Sequence, residues 1–87
     1  MLFLAINKIR KDLEPKQVAT ALPAQRAWLQ EQVEAGNIQQ AGRWGAAGEV
    51  FLFEAYDQDS AEALMAEAPF ALQGVVVLEV HPWHIQV

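Results

Sequence analysis

Three segments of this chain are apolar on both of their alternating sets: LFLAINKIR at 2–10, EVFLFEAY at 49–56 and VVVLEVH at 75–81. Successive side chains of a β-strand point to opposite faces of the sheet. In the first segment Leu2, Leu4 and Ile6 point one way, and Phe3, Ala5 and Ile9 the other. In the second, Phe51 and Phe53 oppose Val50 and Leu52. A sheet with one face in water would carry polar residues on every second position. These strands do not, so the fold must cover both faces of its sheet.

The remaining elements say how much cover the chain can supply. Pro15 opens a short helical turn, and Pro23 suits the first turn of a main helix over about 23–35, ended by Gly36. NIQQAGRW at 37–44 reads as a strand, and GAAG at 45–48 as a hairpin turn into EVFLFEAY. A second helix follows, with Asp59 as N-cap and Glu62 three residues on, and Pro69 as its end. The last strand spans about 75–81. The order is β-α-β-β-α-β, an α+β, ferredoxin-like sandwich: a four-stranded antiparallel sheet with two helices on one face. Two helices shield one side only. The other side calls for the sheet of a second copy, giving a homodimer, or a higher oligomer, closed into an α+β barrel.

Size and charge agree with that picture. The 87 residues form a single domain, 1–87, whose core alone is marginal, and they include no cysteine for disulfides or thiolate metal sites. Net charge is −5, and beyond residue 16 only Arg26 and Arg43 are basic. Such a body repels nucleic acid and anionic membranes. The basic stretch Lys8, Arg10, Lys11 and Lys16 reads as a solvated loop. No basic region precedes the apolar part of MLFLAINKIRKD, and no stretch reaches bilayer length, so a cytoplasmic location is expected.

The stretch PAQRAWLQEQVEAGNIQQAGRW, continued by GEVFLFEAYDQDSAEALMAEAPF and EVHPW, resembles YciI-like (YCII-related) proteins over about residues 22–84. The opening MLF and the pattern AQRAWLQEQVEAG are also similar to muconolactone isomerase. Both resemblances imply the dimeric α+β barrel. They further imply a small cyclic or carboxylated metabolite, handled by isomerase- or lyase-type proton transfer without metal or other cofactor. YciI-like proteins carry a His–Asp pair proposed as a catalytic dyad. The matching positions here are Gln25 and Ala68. A carboxamide does not titrate in a useful range, so Gln25 is no general base. Other residues do the chemistry, or the chain is a non-catalytic binding or accessory module.

Candidate site residues follow from chemistry and placement. Gln25 falls on the helical stripe of Leu22, Leu29 and Val33, where it would orient a substrate or be satisfied by backbone. Arg26 and Arg43 would hold an anionic group, or pair with nearby acids. Glu54 and Glu79 interrupt apolar strands. Placed between sheet and helices they would be desolvated and raised toward neutral pKa, as a base needs. His81 follows the alternation of Val77 and Glu79 and would shuttle a proton beside it. His81 and His84, three apart on a strand, point to opposite faces and do not make a metal site. Cofactor-free monooxygenases of the same superfamily use Asn, Trp and His in one pocket, a third reading that Asn7 keeps open.

Overall fold

The computed structural model describes all 87 residues. The elements are β1 (Leu2–Ile9), α1 (Pro15–Glu34), β2 (Ile38–Trp44), β3 (Gly48–Glu54), α2 (Gln58–Ala66), α3 (Pro69–Leu72) and β4 (Val76–Pro82). The strands form one antiparallel sheet in the order β2-β3-β1-β4, which is the expected α+β, ferredoxin-like arrangement. One sheet face, with Phe3, Ala5, Phe51, Phe53 and Ile38, packs under Trp28 of α1 and Ala61 and Met65 of α2. Ring contacts knit this core: Phe3 to Phe53 at 5.9 Å between centroids, and Trp28 to Phe51 at 6.2 Å.

α1 begins eight residues earlier than the sequence implies. Pro15 occupies its first turn, where a missing N–H costs nothing, and the Glu14 N–H donates to Oε1 of Gln17 at 2.9 Å. Pro23 lies inside the helix. An internal proline removes a hydrogen bond and clashes with the carbonyl four residues back. Packing outweighs that cost because each half of α1 has its own seat. Val18, Ala21 and Leu22 pack with Phe70 and Val75, while Trp28 and Leu29 pack over the main core. The buried line of α1 is Ala21, Gln25 and Trp28, and Val33 is exposed, so the stripe drawn through Val33 is rotated from the true one. Gly36, at φ 80°, follows the helix end as its left-handed residue.

α2 is capped by Asp57, not Asp59. The Asp57 Oδ1 accepts the Ser60 N–H at 2.8 Å, and this bond holds the Asp57 carboxyl below its usual range. Asp59 lies two residues further on, within the first turn, where its charge suits the positive end of the helix. Pro69 opens the short α3 rather than closing α2.

Two features of the sheet decide which residues share a face. Phe3, Phe51 and Phe53 turn toward the helices, so Leu4, Ile6, Val50 and Leu52 lie on the open face, only half covered. The second feature is a register shift in β2: Ile38 pairs with Phe53, but Gln40 pairs with Leu52. This bulge inverts the alternation of β2. Regular alternation from Ile38 would point Arg43 to the open face. The bulge turns it to the helix side, opposite Glu49.

Candidate active site

The row of the sheet beyond the aromatic core is polar. Arg43 of β2 pairs with Glu49 of β3, and Glu49 pairs with Asn7 of β1. All three lie on the helix face by the alternation of Ala41, Phe51 and Ala5. Above them runs the segment of α1 that carries Gln25 and Arg26. Gln25 is wholly buried. Its Oε1 accepts the backbone N–H of Phe70 at 2.9 Å, and its Nε2 donates to Glu49 Oε1 at 3.0 Å. The Phe70 N–H therefore locks the amide, so that only its NH2 can face the carboxylate.

Glu49 is half-buried, and desolvation pushes its carboxyl above the ordinary range for glutamate. Hydrogen bonding from Gln25 and Asn7, and the charges of Arg43 and Arg26, pull the other way without cancelling the burial. A carboxylate raised toward neutrality and held by a fixed donor is equipped to take and release a proton. It borders a cavity of about 380 Å³ between α1 and the β2–β3 hairpin. Val18, Leu22 and Leu29 form the α1 wall, and Ile9 and Phe70 add to the apolar lining. Arg26 and Arg43 line the same space, and neither forms an ion pair within the chain. An acidic chain thus brings its only two Lys/Arg side chains beyond Lys16 to one cavity.

The proposed proton-moving residues sit elsewhere. Glu54, Glu79 and His81 share the open face with Leu2, Ile6 and Leu4, their cross-strand neighbours, and not the helix face. Glu54 is an exposed strand-end acid 3.9 Å from the N-terminal ammonium. Glu79 is bound by Lys8 at 3.1 Å, with His81 at 3.6 Å. The Lys8 hydrogen bond and charge hold the Glu79 carboxyl below its usual range, the reverse of the shift expected for a desolvated base. The reason is parity. With both alternating sets apolar, the sequence did not say which set met the helices, and these acids fell on the other. The same parity separates Asn7 from His81, so the Asn–His pocket of an oxygenase is not assembled.

Glu49 escaped the sequence reading. The signal was present: it is in step with Phe51 and Phe53, the bulkier set, and large aromatic side chains belong under helices. Gln25, Arg26 and Arg43, singled out from the sequence, are the residues brought together around it. The two positions at which YciI-like proteins place His and Asp also adjoin. Gln25 bonds the chain two residues after Ala68, which is itself buried.

The comparisons with known proteins agree with this fold. The chain shares 26% identity with the 5-chloro-2-hydroxyhydroquinone dehydrochlorinase (TftG) of Burkholderia phenoliruptrix AC1100, solved in complex with 2,5-dihydroxybenzoquinone. That match has a TM-score of 0.78 over 97% of this chain and 94% of the other. A muconolactone isomerase structure matches at 19% identity and a TM-score of 0.69, covering 100% of this chain and 97% of that one, and so shares the fold. No curated protein matches in sequence. The YCII-related domain matches residues 1–84, essentially the whole chain, and the protein therefore belongs to the YCII-related family.

Proposed function

We propose that the protein is an enzyme that moves a proton on a small cyclic metabolite carrying a carboxylate or acidic hydroxyl group. Glu49 removes the proton, the amide of Gln25 orients its carboxylate, and Arg26 and Arg43 hold the anionic group. The observation that carries this reading is the convergence of a half-buried, pKa-raised carboxylate and two unpaired arginines on one apolar-walled cavity. Arginine charges flanking a bound ring would stabilise the enolate or phenolate left when the proton departs. The proton then returns to another ring carbon, an isomerisation, or a halide leaves with the electron pair, a lyase-type elimination. The dehydrochlorinase likeness supports a hydroxylated ring as substrate class.

The working unit is a homodimer joined through the open sheet face, where Leu4, Ile6, Val50 and Leu52 lie only half covered and Trp44, Val77 and Trp83 are exposed. A second reading, a binding module without turnover, is favoured by Gln25 and Ala68 at the positions of the family's His–Asp pair. One assay separates the two: turnover of chlorinated hydroxyhydroquinones and of muconolactone-type lactones by purified protein. Glu49→Gln is expected to lower kcat by about 10²- to 10⁴-fold, the usual contribution of a general base. The Glu79→Gln, His81→Ala double variant is expected to keep wild-type kcat. Loss of turnover in the double variant with retention in Glu49→Gln would reverse the assignment. Calorimetric binding of these ligands without turnover would establish the binding module.

A further inference from the structure

Asn7 is 1% exposed, and its Oδ1 is a buried oxygen with no hydrogen-bond partner. Buried acceptors are rarely left so, and one beside a titrating group calls for a reason. Asn7 is the cross-strand neighbour of Glu49, and its amide favours the ionised carboxylate. The two carboxamides at Glu49 differ in freedom. Gln25 is pinned by the Phe70 N–H and can only donate. Asn7 has no such pin. A carboxylate needs donors, but a protonated carboxyl needs an acceptor for its own O–H. Gln25 serves the first state and cannot serve the second. The other groups facing Glu49 are Arg26 from α1 and Arg43 from β2, which are donors only. From β4, the residue across from Asn7 is the apolar Leu78.

We infer that Asn7 is a positioning residue that follows the proton on Glu49: its NH2 faces the carboxylate, and its Oδ1 accepts the O–H once Glu49 has taken a proton. No bond is made or broken at Asn7. The proton stays on Glu49 and is held in a fixed direction until it is returned or lost to solvent. The orphaned oxygen is then the half of the site that the ionised state leaves idle. This deepens the proton-transfer reading of Glu49 and depends on it only for its consequence in turnover.

Carbon NMR of the whole protein, labelled at its side-chain carbonyls, tests it without a substrate. Across the Glu49 transition, Asn7 Cγ should move downfield on acidification with the same midpoint as Glu49 Cδ, while Gln25 Cδ, whose oxygen keeps the Phe70 N–H in both states, should not move downfield. In Glu49→Gln, whose NH2 imitates the protonated carboxyl, Asn7 Cγ should be insensitive to pH. An Asn7 signal that is flat through the wild-type transition, or that still titrates in Glu49→Gln, overturns the inference. In the turnover assay, Asn7→Leu should lower kcat and leave KM, which the arginines set, unchanged. Wild-type protein without turnover but with Asn7 tracking Glu49 would remove the enzyme reading and leave the coupling standing.

Discussion

Glu49 carries a charge that the fold disfavours, and pH should expose it. Its folded pKa is raised by burial, so folding favours the protonated form. That contribution is fully present below the unfolded value near 4.5 and is lost as pH rises through the folded value. Glu49→Gln, always neutral, should therefore melt at a higher temperature than wild type at pH 7 and show no such advantage at pH 4. Thermal melts at the two pH values check both sign and window. Gly48, the next residue, is constrained for another reason. A Cβ there would run into the backbone oxygen of Asn7 and the ring of Trp44, which packs against the glycine. The exposed Trp44 ring can swing aside, but the Asn7 oxygen is backbone of the central strand and cannot yield without moving the sheet, so Gly48→Ala should cost about 1–3 kcal/mol, read from urea unfolding.

α1 shows how packing overrides local preference. Pro23 falls where its two packed halves meet, although a proline in a sequence so often marks the beginning of a helix. Replacing it with alanine restores a backbone hydrogen bond and should stabilise the fold by about 1–3 kcal/mol in chemical denaturation. Gln25 and Arg26 follow within three residues, and a proline re-aims the helix around it, so its removal should shift them relative to Glu49. A Pro23→Ala protein that is more stable yet slower in turnover is the expected outcome. The β2 bulge is the other element no pattern announced. The stretch IQQAGRW gives no sign that one residue will be left out of register, yet the side on which Arg43 emerges depends on it.

The whole molecule is a sheet clothed on one side. The open face leaves Leu4, Ile6, Val50 and Leu52 half covered, and a second such sheet would bury them. Leu52→Asp should convert a micromolar dimer into monomer in sedimentation velocity. A wild-type chain that is monomeric and stable under the same conditions would remove the homodimer from the proposal. No helix is long and apolar enough to cross a membrane.

Much of this was legible in the residues. Element order, the antiparallel sheet and helices on one side follow from patterns of apolar spacing, glycine and proline, and Gln25, Arg26 and Arg43, singled out by spacing and charge, do gather around one carboxylate. These are properties of short windows, and short windows are where alternation and helix periodicity act. Which way the sheet faced was another matter. Alternation is symmetric, so two apolar sets give no vote, and the choice between Glu49 and the trio Glu54, Glu79 and His81 rests on where the large rings find volume beneath the helices. That contest is settled among residues far apart in the chain. It is why a glutamate at the mouth of a hairpin, and not the histidine beside a tryptophan, stands at the cavity.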